Sequence, residues 1–189
     1  MKKWILAILC FLISLTQLSA KEVGGIKLDE KITISTTPLI LNGAGIRTKF
    51  VFDIYVGALY LKEAAHSSEA VLKSNNTNRI RMVFLYDEVD KEKLTNGWSD
   101  GFENNLSSSE LDKLKGKIIA FNQLFETVHE GDVIDLDYID GKGTHVYYNS
   151  KLKGVVDGKD FNTALLKIWL GNDPADDDLK QGMLGQDDD

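Results

Sequence analysis

The chain has 189 residues and a formal net charge of −7 at pH 7. Its length allows one domain with a sizeable hydrophobic core. An acidic chain repels phosphate backbones, and the sequence has no basic stripe interleaved with aromatic residues. We therefore exclude nucleic acid as a predicted partner.

The first 20 residues have the pattern of a secretory signal peptide. Lys2 and Lys3 precede the apolar run WILAILCFLISL, and the small residue Ala20 follows shortly after it. A membrane-spanning helix needs about 20 apolar residues, and this run is shorter. We expect residues 1–20 to be a signal peptide and the protein to be periplasmic. An uncleaved N-terminal anchor is the alternative interpretation.

Cleavage would leave residues 21–189 as a single domain with no stable membrane span. It would remove Lys2 and Lys3, which takes the formal charge from −7 to −9. Cys10, the chain's only cysteine, would leave with the leader. Disulfides would then be unavailable, so we expect the stability of the domain to come from its core.

Strands and helices are predicted in chain order from the period of the apolar residues. Asp90 can cap a helix that carries Leu94, Trp98 and Phe102 on one face. Strands are expected at 22–34, 39–61, 79–85, 132–139, 144–149 and 151–157, and further helices near 115–128, at 160–170 and from 176 onward. Strands dominate, and the helices cluster in the middle and at the end of the chain. This order indicates an α+β fold with an antiparallel sheet covered by helices.

Several motifs that carry chemistry are lacking from the sequence. Gly43 and Gly45 are not followed by a third glycine and a helix, so they predict a strand bulge or a close backbone approach rather than a nucleotide loop. His66, His129 and His145 are scattered, without metal-ligand spacing. We predict no metal site, no cofactor and no catalytic residue set.

Arg47 is the single arginine in the largely apolar and aromatic segment 42–61. If 39–61 were one strand, Arg47 and Tyr55 would share its more polar face. Phe50 and Phe52 would then lie on the core face. Periodicity alone leaves two interpretations of Arg47 open, an outward-facing arginine on a strand edge and an anion-binding residue.

Two segments of the sequence, GAGIRTKFVFDIYVGALYL at 43–61 and GKDFNTALLKIWLGNDPADDDLKQGMLG at 158–185, are similar to a known family. They resemble the bacterial chalcone isomerase-like family, which is related to plant chalcone isomerase and to plastid fatty-acid-binding proteins. The resemblance covers essentially the whole chain after the leader. It implies an open-faced β-sandwich, in which helices cover one face of a large antiparallel sheet and leave a cleft between.

The resemblance also implies site residues. Arg47 matches the arginine that faces the ligand cleft in relatives, and Tyr55 stands where the fatty-acid binders have tyrosine and true isomerases have threonine. The segment VDKEKLTNGW lacks the isomerase tyrosine, and Asn96 is a possible match to the isomerase asparagine. Ile168 replaces a late threonine or serine. Tyr60, further along the same apolar segment, completes the predicted ligand-binding set.

These substitutions favour binding over catalysis. Isomerisation needs a cation for a phenolate and hydroxyl groups that support an enolate, and the hydroxyl groups are depleted here. We expect a non-catalytic protein that binds a fatty acid or a similar small amphipathic carboxylate. The alternatives are an isomerase or lyase acting on an enone-like substrate, and an envelope protein-interaction module with a vestigial cleft. The sequence identifies no protein partner.

Overall fold

The computed structural model describes residues 20–186. The predicted signal peptide lies outside this range, apart from Ala20. Eleven strands occur in the described range: β1 Ala20–Val23, β2 Ile26–Asp29, β3 Lys31–Ile34, β4 Thr37–Lys49, β5 Phe52–Leu61, β6 Asn78–Phe84, β7 Glu88–Val89, β8 Val128–His129, β9 Val133–Ile139, β10 Gly143–Tyr148 and β11 Lys151–Val156. The helices are α1 Ser68–Lys73, α2 Lys91–Asn105, α3 Ser108–Asn122, α4 Lys159–Leu170 and α5 Asp177–Met183.

Seven strands form one antiparallel sheet in the order β11-β10-β9-β6-β5-β4-β3. β1 pairs with β2, and β7 with β8, in two small ribbons. The predicted α+β class with a large antiparallel sheet is confirmed. No helix within residues 20–186 is long and apolar enough to cross a membrane.

The two faces of the sheet have different cores. One face packs against the helices, where α2, α3 and α4 contribute most of the aromatic side chains, including Trp98, Phe121 and Trp169. The opposite face carries a smaller cluster that includes Leu28 from β2 and Tyr60 from β5. Beside this smaller cluster, Arg79 and Arg81 of β6 pair with aspartates of β9.

The predicted strand at 39–61 is wrong in one respect, because the structure divides it into a hairpin. β4 and β5 pair antiparallel, and Phe50 and Val51 form the turn between them. Phe50 is 91% exposed and Phe52 is 50% exposed, so neither lies in the core as the alternation predicted. The error arose because residues 48–54, around the turn, include no glycine or asparagine to mark it.

The predicted helix near 115–128 is α3, which begins and ends earlier. Ser107 and Glu110 form a capping box that starts the helix: the Glu110 amide donates to the Ser107 hydroxyl, and the Ser107 amide donates to the Glu110 carboxylate. Phe125 and Val128 are buried, as predicted, but they follow the end of α3.

Gly43 confirms the predicted bulge and close approach. The register of β4 against β5 shifts between Leu41 and Gly43. A Cβ atom at Gly43 would lie 2.1 Å from the carbonyl oxygen of Gly182, so only glycine lets α5 pack directly on β4. This packing places the start of α5 beside Thr48, where Asp176 accepts a hydrogen bond from the Thr48 amide.

Candidate ligand-binding site

Arg47 and Tyr55 lie directly opposite each other on β4 and β5. The guanidinium carbon of Arg47 is 5.8 Å from the centroid of the Tyr55 ring, which places the cation over an aromatic face. Tyr55 belongs to the helix-covered core and is only 3% exposed. The sequence predicted that the two residues share the more polar face of one strand. They instead face each other across a hairpin, on the core face.

A cavity of about 50 Å³ lies between this pair and α2. Arg47, Tyr55, Lys93, Gly97 and Trp98 line it. The rest of its wall is apolar and consists of Ile54, Met82, Phe84, Val89, Leu94, Ile168 and Ala175. Ile168 is thus in the wall of the cleft, at the position where the resemblance implied a lost hydroxyl.

Two residues that line the cavity each have a buried N–H group without an acceptor. Within residues 20–186, neither Arg47 Nε nor Trp98 Nε1 has a hydrogen-bond partner, and both atoms are inaccessible. Buried donors are normally satisfied, because leaving one unpaired costs about 1–3 kcal/mol. Nor does Arg47 form an ion pair with any residue of the described range.

The hydroxyl of Tyr55 is held in place by α4. Trp169 Nε1 donates a hydrogen bond of 2.9 Å to the Tyr55 oxygen. Burial raises the pKa of Tyr55, and the nearby Arg47 charge only partly opposes this. Tyr55 is therefore a neutral phenol at ordinary pH, and its own proton remains available for an acceptor.

Asp176 is an acidic residue whose charge acts on Tyr55, but its carboxylate is occupied by backbone amides. It accepts hydrogen bonds from the amides of Leu179, at 2.9 Å, and Thr48, at 3.0 Å. The first of these caps α5. Asp176 thus stabilises the junction between β4 and α5 rather than neutralising Arg47.

A larger, polar groove of about 420 Å³ adjoins the cavity. Arg47, Lys93 and Gly97 line both spaces, so they form the boundary between them. Asn96 lies on the groove with Lys49 and is exposed, which places it near Arg47 but outside the cavity.

Tyr60 is separated from the other predicted site residues. It is fully buried in the smaller cluster, on the face of the sheet opposite to Tyr55. Residues an odd number of positions apart on one strand point to opposite faces, so Tyr55 and Tyr60 cannot serve one cleft. Burial raises the pKa of Tyr60, and its hydroxyl has no hydrogen-bond partner in the described range.

Sequence reasoning missed Trp98, Trp169 and Lys93 as site residues. Helical periodicity placed both tryptophans on buried faces, which is where they are, but periodicity does not show where an indole N–H points. Lys93 is exposed at the boundary of the cavity and pairs with Asp90 at 2.8 Å. No group of three metal-ligating side chains occurs within residues 20–186.

Comparisons with known proteins identify the fold and the family. A comparison with curated proteins found no match. Among solved structures, a fatty-acid binding protein of Arabidopsis thaliana (AtFAP1) superposes with a TM-score of 0.63 at 16% sequence identity, over 85% of this chain and 92% of that chain. That likeness shows the fold. The model of the chalcone isomerase-like family matches residues 20–185, and the chain therefore belongs to this family.

Proposed function

We propose that this protein binds a small amphipathic acid, such as a fatty acid, with the carboxylate against Arg47 and Tyr55. The observation that carries the proposal is that three polar groups of the cavity can donate a hydrogen bond and lack an acceptor for it. Arg47 Nε and Trp98 Nε1 are unpaired within residues 20–186, and Tyr55 can donate its proton. A carboxylate has acceptors only, and it complements this set.

Charge supports an acid rather than a neutral ligand. Arg47 is half-buried and has no carboxylate within ion-pair distance among the described residues. Removing a guanidinium from water is costly unless an anion compensates. A protein with the same fold is named for fatty-acid binding, which makes an acid with an apolar tail the first class to test.

The size of the cavity limits how such an acid can bind. Pockets for ligands of drug size measure about 300–1,000 Å³, and this cavity has about 50 Å³. The cavity therefore holds the head group, and an apolar tail needs additional room. Gly97 lines both the cavity and the open groove, and it has no side chain to block a passage between them. We infer that α2 moves away from the sheet on binding and opens this passage.

Arg47→Ala tests the proposal. Calorimetry with a delipidated sample should show that binding of a long-chain acid weakens about ten- to hundredfold, as expected when hydrogen bonds to a charged group are lost. The methyl ester should bind poorly to the native protein and lose little more in Arg47→Ala. Lys49→Ala removes an exposed cation from the same strand and should change acid binding less than twofold.

Two results would contradict the proposal. Equal affinity of the native protein for the acid and its ester would show that Arg47 does not bind the carboxylate. Cyclisation of a hydroxychalcone far above the spontaneous rate, abolished by Arg47→Ala, would assign the cavity to an isomerase. Thermal unfolding of both variants must remain near that of the native protein for either result to concern the site.

We also propose that the chain is exported to the periplasm. Support comes from the leader pattern of residues 1–20 and from the family match, which begins at residue 20. In a Gram-negative host, the expressed chain should appear in the periplasmic fraction, shortened by about 20 residues. A full-length form recovered with the membranes would instead support the uncleaved anchor.

A further inference from the structure

The turn that joins β4 to β5 consists of exposed apolar residues. Phe50 is 91% exposed, Val51 83% and Phe52 50%. We refer to these three residues as the apolar tip. The Phe52 ring contacts that of Tyr86, with centroids 5.4 Å apart, and Tyr86 is itself 36% exposed. The fold thus presents a cluster of aromatic surface at the end of a hairpin.

The backbone conformation of this turn is unfavourable for the residue that occupies it. Phe50 has φ +59°, in the left-handed region that Gly, Asn and Asp adopt with least strain. A bulky ring is disfavoured there, and at 91% exposure it gains almost no packing in return. Burial within this chain therefore does not account for Phe50. Strained and exposed apolar groups of this kind are typical of contact sites.

We propose that the apolar tip inserts into the interfacial region of a lipid bilayer. Its three side chains expose roughly 400 Å² in total, if a full aromatic side chain buries 150–250 Å². A stable protein interface needs about 800 Å² from each partner, so the tip is too small for a second copy or a protein partner alone. A bilayer accepts a protruding apolar group without a complementary surface, and aromatic residues favour its interface.

The charges beside the tip fit the head groups of lipids. Lys49 adjoins Phe50 and is exposed. The adjacent groove is lined by three cations, Lys49, Arg47 and Lys93, and by two acidic residues, Asp100 and Asp173. The carboxylate of Asp53 is turned to the Thr48 hydroxyl, which donates to it at 2.9 Å. Cations next to an inserted tip would meet lipid phosphates.

The tip is close to the candidate site but independent of it. Arg47 precedes Phe50 by three residues, about 10 Å along a strand that rises about 3.3 Å per residue. Insertion of the tip would therefore bring the mouth of the cavity to the membrane surface. The proposal does not depend on what the cavity binds, because it rests on the exposure and conformation of the turn.

Phe50→Trp in the processed chain recovered after export, with vesicles of equal parts phosphatidylcholine and phosphatidylglycerol, reports insertion directly. Its emission, after subtraction of the native signal, should shift to the blue and be quenched by lipids brominated on their acyl chains. Phe52→Trp repeats the measurement at a residue outside the strained turn. Ile119→Trp is the matched control, since Ile119 is 50% exposed on α3, which packs near β11 at the far edge of the sheet. Its emission should not change.

Phe50→Asn combined with Val51→Ser separates insertion from folding. Asn relieves the left-handed strain, so thermal stability should be kept or raised. Partition into the same vesicles should fall about tenfold or more, because most of the apolar area is lost. Equal quenching of Phe50→Trp and Ile119→Trp, or unchanged partition of the double variant, would overturn the proposal. So would a blue shift of Phe50→Trp that grows with protein concentration when no vesicles are present, which would show contact between copies.

Discussion

Trp169 Nε1 donates a 2.9 Å hydrogen bond to the hydroxyl oxygen of Tyr55, which joins α4 to β5 inside the core. Both side chains are almost completely buried. The bond fixes the phenol next to Arg47 and uses one acceptor position of its oxygen. The O–H proton of Tyr55 is not used in this bond, so Tyr55 can donate it to a different group. One contact therefore serves both the stability of the domain and the chemistry of the cavity.

Tyr55→Phe and Tyr60→Phe should have opposite effects on stability. Removal of the Tyr55 hydroxyl leaves the buried Trp169 N–H unpaired, which we expect to lower the free energy of unfolding by about 1–3 kcal/mol. The Tyr60 hydroxyl is buried without a hydrogen-bond partner in the described range, so its removal should be neutral or stabilising. Chemical denaturation of both variants at one pH measures the difference.

Tyr55→Phe and Tyr60→Phe should also differ in their affinity for a long-chain acid. Tyr55→Phe should weaken it, but less than Arg47→Ala does, because the guanidinium remains. Tyr60→Phe should leave it unchanged, since Tyr60 lies on the other face of the sheet. If Tyr60→Phe weakened acid binding as much as Tyr55→Phe, the site would not be the cavity beside Arg47.

Gly97→Leu should block the entrance to the cavity. A Cβ atom at Gly97 meets nothing within 4 Å, and the residue lines both the cavity and the groove. Glycine disfavours a helix by about 1 kcal/mol relative to alanine, so the substitution should not destabilise α2. We expect acid binding to fall about tenfold or more, while the melting temperature stays the same or rises.

Gly116→Leu is the control for this change. Gly116 is an exposed glycine on α3 where a Cβ atom also meets nothing within 4 Å. Gly116→Leu should gain the same helix propensity in α3 and leave acid binding unchanged. Unchanged acid binding in Gly97→Leu would mean that the ligand does not pass between α2 and the sheet.

Much of the fold could be predicted from the sequence because apolar residues recur at a regular spacing in most helices and strands. Leu94, Trp98 and Phe102 recur every four residues and form the buried face of α2. The hairpin of β4 and β5 could not be predicted, because its turn uses Phe50 and Val51 where hairpins usually have glycine or asparagine. The start of α3 was placed too late because its first turn is held by a capping box rather than by apolar residues.

The site was only partly predictable for a related reason. Arg47 and Tyr55 were identified through the family resemblance, and their meeting depends on a pairing register that local sequence does not determine. Tyr60 was included because it lies on the same apolar segment, but strand geometry sends it to the opposite face. The unpaired Trp98 N–H is a product of tertiary packing, so no sequence pattern indicates it.

The ion pair between Arg79 and Asp137 should show strong coupling. Arg79 Nε and Nη2 donate to the Asp137 carboxylate at 2.5 and 2.7 Å, and the Asp137 side chain is 3% exposed. Asp137→Leu alone should lower the free energy of unfolding by about 3–5 kcal/mol, because it leaves a buried cation with a poorer partner. Arg79→Leu together with Asp137→Leu should recover most of this loss, as a double-mutant cycle by urea denaturation would measure. Simple additivity of the two single changes would show that the pair is not coupled.

Protonation of Glu110 should lower the stability of the domain in acid. Hydrogen bonds from the Ser107 amide and hydroxyl, together with the Lys167 ammonium group, lower the pKa of Glu110 from 4.5 to about 2. Because the folded state holds the carboxylate ionised, the stabilisation is complete above the unfolded pKa and is lost as the pH falls toward 2. The Glu110 side chain is 46% exposed, so solvent screens the charge and we expect a contribution below about 1 kcal/mol.

Glu110→Gln isolates this contribution. Glutamine keeps a side chain that can complete the capping box, but it does not titrate. The native protein should be the more stable of the two at pH 7, and the difference should shrink steadily between pH 5 and pH 2, since protonation removes the charge that the variant never had. Glu103→Gln, at an exposed position on α2, should track the native curve closely. If the native and Glu110→Gln melting temperatures stayed equally far apart from pH 7 down to pH 2, the capping carboxylate would not be the group whose protonation weakens α3.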